Sequence, residues 1–180
     1  GEEVVVDGNH GAVERVALFH DIGKIHEALF DIVHDPKRLN RSERRAIATH
    51  PARGAEVLAP LAAFYPELPA GVLAHHERWD GQGYPRRLRG TRIPLEARIV
   101  TIADTFDAVT HARRYRGAAN VERAIEVLAG GRGTQFDPDL VDLALLPPVI
   151  KEMARVQIEP GGRDQSRRSR HREDVPDVSF

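Results

Sequence analysis

Apolar residues return every three or four positions along most of the chain, and strict apolar–polar alternation is almost absent, so the pattern predicts helices and no sheet. Val13 to Phe19 reads as a helix leading into His-Asp-Ile-Gly-Lys, and Ile25 to Val33 as a second, short one closed by the Asp35-Pro36 turn. Asn40 and Glu43 form a capping box for a helix expected to end at His50, because Pro51 disfavours helical geometry in the residue before it. Further helices are expected over Ala52 to Leu61, Pro69 to His76, Val121 to Leu128, Pro138 to Leu145 and Val149 to Gln157. The longest opens at Pro94 and carries Leu95, Ile99, Ile102, Phe106 and Val109 as one apolar stripe. The stretch GQGYPRRLRGTRIP, from Gly81 to Pro94, holds too much glycine and proline for regular structure and reads as a loop. From Gly161 the chain has five arginines, four acids and few large apolar side chains. That composition predicts a disordered polar tail over 161–180 behind one all-α domain over 1–160.

Composition narrows the function classes. With 180 residues, 41% of them apolar, the chain can bury one ordinary core. Its 26 basic and 27 acidic side chains leave a formal charge of −1, so nothing global draws it to nucleic acid or to an anionic membrane. The absence of cysteine excludes disulfides, thiolate ligands and a cysteine nucleophile, and leaves metal binding to imidazole and carboxylate. No apolar run approaches the roughly 18 to 20 residues of a spanning helix, and the N-terminus has no signal-peptide pattern. A cytoplasmic protein is expected.

Four of the nine histidines stand beside a second ligand type or at a helix junction: His20, His50, His75 and His76. His20 precedes Asp21, and Asp104 lies in VTIADTFDAVT with Val100, Ala97 and Ala108 as its helical neighbours. A carboxylate buried there without a partner would cost several kcal/mol, so it calls for a counter-ion. A divalent metal shared with the histidines supplies one, and mixed imidazole and carboxylate ligation suits Fe, Mn, Zn or Ni better than Ca or Mg. Adjacent residues on a helix point about 100° apart, so His20-Asp21 and His75-His76 are expected to straddle two or more ions. Such a cluster hydrolyses phosphate esters. His26, His34, His111 and His171 have no such setting and read as ordinary surface or hydrogen-bonded residues.

The segments LFHDIGKI, ATHPARGAEVL, LAHHERWDGQGYPRRLRGTRIPLEARIVTIADTFDAVTHARRYR and GTQFDPDLVDLAL resemble, in order and spacing, the HD-GYP subgroup of the HD-domain metal-dependent phosphohydrolases. The resemblance runs from about Ala17 to Leu145. It implies an all-α HD-domain helical bundle, two or three divalent ions, iron or manganese, and hydrolysis of cyclic di-GMP to pGpG or GMP. The implied metal ligands are His20, Asp21, His50, His75, His76 and Asp104, with Asp21 and Lys24 as the catalytic pair. Lys24, Arg113 and Arg116 match phosphate-contacting positions, and Asp80, Gly83, Tyr84 and Pro85 match the loop that borders the substrate. That loop also implies GGDEF-domain proteins as partners. Trp79 reads as packing.

The chain departs from the family pattern at its start. Members carry a further helix with a histidine before the His-Asp pair, whereas nineteen residues precede His20 here. The expected bundle therefore lacks the first helix, and one ion lacks a protein ligand unless His10 or Glu14 replaces it. Apolar surface left bare would invite a neighbour or a homodimer, and a longer parent would have room for an upstream sensory domain. Arg114 stands where the family has proline between the two clamp arginines, and HDPKRL replaces the usual Lys-Pro-Gly loop. Two readings follow: a cyclic dinucleotide phosphodiesterase, or a degenerate HD-GYP module that binds a dinucleotide or a GGDEF partner without turnover.

Overall fold

A computed structural model describes residues 10–25, 40–111 and 117–158. The helices are α1 (His10–Phe19), α2 (Arg41–Ile47), α3 (His50–Leu58), α4 (Glu67–Ala74), α5 (Leu95–His111), α6 (Gly117–Gly130), α7 (Pro138–Ala144) and α8 (Pro147–Ile158). Short 3-10 turns cover Ile22–Ile25, Ala59–Ala63 and Gly90–Arg92. Among the described residues the only extended pairing is an isolated bridge between Arg132 and Phe136. The all-α expectation holds. The helix expected over Ile25 to Val33, the arginines Arg113 and Arg116, and the tail over 161–180 lie outside the described residues.

Two apolar clusters share α5. On one side Ile102 and Phe106 of α5 pack with Ala124 and Leu128 of α6 and Val141 of α7, closed by Phe136 and Met153. On the other, Val100 meets Val16 of α1, Leu58 of α3, and Leu68 and Val72 of α4. A smaller cluster joins Ala74, Ile93 and Ala97. The single-stripe reading of this helix was therefore too narrow, because Ala97 and Val100 are as buried as Ile102 and Phe106. An element packed on two sides needs two apolar faces.

Several helix ends differ from expectation, and the differences matter to function. The Asn40–Glu43 capping box is present, but α2 stops at Ile47 and His50 begins α3 instead of ending α2. Pro51 then occupies the second helical position, where a missing N–H leaves no bond unmade. Helix α4 starts at Glu67 and ends at Ala74, which puts His75 at the C-cap and His76 beyond the helix. Pro147 and Pro148 open α8 instead of preceding it.

Candidate metal centre

The site is assembled from the ends of α1, α3 and α4 and the middle of α5. Asp21 follows α1, and the chain then passes directly over the first turn of α3. A Cβ on Gly23 would lie 2.1 Å from the His50 carbonyl oxygen and 2.7 Å from the Gly54 nitrogen, so only glycine permits that approach. This close passage sets Asp21 against His50, with His50 Nε2 3.2 Å from Asp21 Oδ1. His75 and His76 enter from the end of α4. Thr101 of α5 sits behind them, its hydroxyl 2.7 Å from the His75 carbonyl oxygen.

Ring orientation is fixed from behind. His20, His50 and His75 each place Nδ1 2.6 to 2.7 Å from the carbonyl oxygen three residues earlier, of Ala17, Ile47 and Val72. A carbonyl only accepts, so Nδ1 carries the proton and, in the neutral ring, Nε2 carries the lone pair. His50 Nε2 and His75 Nε2 then face each other as two acceptors 3.1 Å apart. Asp21 Oδ1 lies beside them, buried and without a hydrogen-bond partner. Such an arrangement repels itself unless a cation or protons stand between the lone pairs.

The residues fit a cation. Nitrogen ligands at about 2.1 Å from one ion stand roughly 3.0 to 3.4 Å apart, which matches the His50–His75 separation of 3.1 Å. One ligand atom from each of His50, His75 and His76 falls within 4.8 Å of the others. His75 and His76 thus both reach the cluster, with ring centroids 4.2 Å apart, although His75 keeps right-handed helical dihedrals at the C-cap. His20 and Asp104 form a looser flank, with His20 Nε2 3.5 Å from Asp21 Oδ2 and 3.8 Å from Asp104 Oδ1. The Asp104 side chain is 42% exposed, so burial gives it no need of a counter-ion; its place opposite His20 is what makes it a ligand candidate.

The surroundings keep these groups in ligand form. Burial raises the Asp21 carboxyl, but a proton on His50 Nε2, the Lys24 ammonium and His20 outweigh it and hold the acid well below the usual carboxylate range. Burial, reinforced by His76 and His50, holds His75 down to about 3. Burial and the neighbouring His50 hold His76 down to about 4. At neutral pH His75 and His76 are therefore neutral imidazoles and Asp21 is an ionised carboxylate. Lys24 Nζ donates to Asp21 Oδ2 at 2.6 Å.

The loop after the histidines divides by role. Tyr84 stacks on His76 with ring centroids 5.0 Å apart and planes 22° from parallel. Burial, with Asp21 and Asp104 nearby, pushes its phenol up to about 12. Asp80 faces inward to its own loop, since it takes both Arg78 bonds, at 3.1 and 2.7 Å, and one from the Gln82 N–H. Gly83 backs onto the Glu77 and Arg78 main chain, and Pro85 is exposed. Trp79 is half-buried, with the Arg98 guanidinium 5.9 Å from its ring centroid, in keeping with packing. Glu77 escaped the sequence reading; its available signal was a carboxylate wedged between a histidine pair and an arginine-rich loop. A groove of about 400 Å³ opens at His20 and Asp104, lined by Ala17, Val100, Phe106 and Met153.

Comparison with known proteins identifies the family and the fold. A family profile described as HD domain matches residues 7–140. The cyclic di-GMP phosphodiesterase response regulator RpfG of Xanthomonas campestris is 42% identical over 83% of this chain and 41% of its own length. The 3'3'-cGAMP-specific phosphodiesterase 2 of Vibrio cholerae is 37% identical over 74% of this chain and 26% of its own. The chain thus spans well under half of these relatives. The crystal structure of a cyclic GMP-AMP specific phosphodiesterase from Vibrio cholerae superposes with a TM-score of 0.52 at 23% identity, over 82% of this chain and 35% of that one, and so shares the fold. Among the described residues no helix is long and apolar enough to cross a membrane. By its matched span, its bundle and its His-Asp, His-His and Gly-Tyr-Pro segments, the chain belongs to the HD-domain family, in the HD-GYP group.

Proposed function

We propose that the chain is the catalytic domain of a metal-dependent phosphodiesterase that opens a cyclic dinucleotide, cyclic di-GMP first among them, to pGpG or GMP. The observation that carries this reading is the facing pair of Nε2 atoms on His50 and His75, 3.1 Å apart beside the unpartnered Asp21 Oδ1. Two or three iron or manganese ions would be held by His20, Asp21, His50, His75, His76 and Asp104. Bound there, they would supply water activation at neutral pH and neutralise phosphoryl charge.

The protein's own groups have separable tasks. Asp21 spends one oxygen on Lys24 and turns the other to the histidines, which holds the ammonium in register with the cluster. Lys24 then offers a positive charge to a non-bridging phosphate oxygen. Arg113 and Arg116 would complete a phosphate clamp, since the planar guanidinium fork suits two-point contact. Tyr84 covers one side of the cluster, Gly83 and Pro85 shape its approach, and Asp80 keeps the loop in form. The groove beside His20 and Asp104 gives a nucleotide a route in. Relatives named for cyclic di-GMP and for 3'3'-cGAMP both match the chain, so either ring fits the reading. GGDEF-domain proteins are the partners proposed for the loop.

Elemental analysis of protein purified without chelator or oxygen, paired with a cyclic di-GMP assay in added Mn or Fe, tests the proposal. At least two ions per chain with turnover are expected, and Asp21→Ala should lose both. Full turnover in that variant would rule out the metal reading. Dinucleotide binding with neither metal nor turnover would assign the chain to a recognition module.

A further inference from the structure

Glu77 directly follows the histidine pair and is 3% exposed. Its carboxylate reaches across the loop. One oxygen accepts from the Arg86 N–H at 2.6 Å and the other from the Leu88 N–H at 3.0 Å. Between these two donors Arg87 has φ 53°, the left-handed region that a long side chain seldom enters. A left-handed residue flanked by two N–H groups that meet one anion is the arrangement of a backbone nest.

We propose that Glu77 is a positioning residue: its carboxylate is the built-in anion of a nest over residues 86–88, and it thereby holds Gly83-Tyr84-Pro85 against the metal-site histidines. The remaining contacts of the loop agree. A Cβ on Gly83 would lie 2.3 Å from the Arg78 nitrogen, so the two strands of the loop run in main-chain contact. The Tyr84 N–H donates to the His76 carbonyl oxygen at 3.2 Å, and the two rings stack above that bond. Charge points the same way. Arg86, Arg87, Arg89 and Arg92 are all exposed and cluster on this one loop. Their mutual repulsion would drive it off the bundle, and a buried carboxylate at its base opposes that. The role assigned to the loop rests on the phosphodiesterase reading, whereas the nest can be tested with no substrate present.

The full chain with Glu77→Gln keeps the side-chain shape but turns an amide NH2 toward one of the two N–H donors. Limited trypsinolysis read by mass spectrometry should then cut after Arg86, Arg87 and Arg89 about tenfold faster than in the wild type, since such cleavage follows the open population. Cleavage at Arg123 and Arg155, on α6 and α8, should not change. In carbon–proton correlation spectra the His76 ring signal should lose the ring-current shift imposed by Tyr84, while that of His50 stays in place. A merely structural substitution would move both histidines or neither. If the variant fails to fold, amide exchange in the wild type decides: protection of about a hundredfold at Arg86 and Leu88 supports the nest, and unprotected exchange at both overturns it. Unchanged trypsin rates with an unmoved His76 signal in a folded variant would also overturn it. An altered loop in a chain that hydrolyses no cyclic dinucleotide would keep the nest and sink the phosphodiesterase reading alone.

Discussion

Two imidazoles whose Nε2 atoms face each other at 3.1 Å, with a carboxylate oxygen 3.2 Å from one of them, form a cluster of acceptors whenever both rings are neutral. An amide at the Asp21 position could donate to the His50 lone pair, but it gives up the ionised carboxylate that Lys24 holds, so Asp21→Asn should lower the metal-free midpoint at pH 7. The same change removes the anionic ligand. Mn affinity should fall at least about a hundredfold, since losing even a partner of a ligand costs ten- to a hundredfold. Calorimetric Mn titration of both proteins, with thermal scans in EDTA, checks this. An unchanged Mn affinity would remove Asp21 from the ligand set. Residue types and spacing made the six candidate ligands legible in the sequence. How they group was not, because grouping depends on how the start of α3 packs against the end of α4, which brings one ligand atom from each of His50, His75 and His76 within 4.8 Å of the others. Glu77 stood out in the sequence only by its place between the histidine pair and the arginine-rich loop, since its partners are main-chain N–H groups nine and eleven residues away.

At the scale of elements, α1 and α4 are held together by more than apolar contact. Gly71 of α4 meets Val16 so closely that a Cβ would lie 2.5 Å from Val16 Cγ2. Beside this contact Arg15 of α1 donates to Glu67 Oε1 at 3.1 and 2.5 Å and lies 4.4 Å from the Tyr65 ring centroid. The Arg15 hydrogen bonds hold the Glu67 carboxyl below its ordinary value of 4.5. A carboxylate with a lowered folded pKa contributes stability above its unfolded pKa and loses it as pH falls through the folded value. Glu67→Gln should therefore cost about 0.5 to 1 kcal/mol at pH 7. The gap to the wild type should close as pH falls from the ordinary value of 4.5 through the lowered folded one. Urea unfolding at pH 7, 5 and 3.5 measures it, and a gap that persists at the lowest pH would show the loss to be one of packing. Periodicity located most of the described helices. It found the start at Pro138 but missed the ends at Pro51 and Pro147, because proline marks both the stop of one helix and the start of another.

For the whole molecule, the position of α5 between two apolar clusters sets how binding is felt. The candidate ligands come from the ends of α1, α3 and α4 and from α5, so ions held by them would tie positions 20 to 104 across the half of the bundle built on Val16, Leu68 and Val72. Because α5 also carries Ile102 and Phe106 of the other cluster, the two halves should melt together. An unfolded chain cannot gather these ligands, so binding free energy becomes folding free energy. At a free Mn concentration one hundred times the dissociation constant the gain is about 2.7 kcal/mol. For a chain of this size that is a rise of roughly 5 to 11 °C in the midpoint of one cooperative transition. EDTA should reverse it, and in His50→Ala the Mn-induced rise should largely vanish whatever the variant's metal-free midpoint. Differential scanning calorimetry with and without Mn decides the matter. A wild-type midpoint unmoved by either Mn or EDTA would mean that the histidine cluster holds no ion in the folded chain, and a split transition would mean that α5 does not couple the two cores.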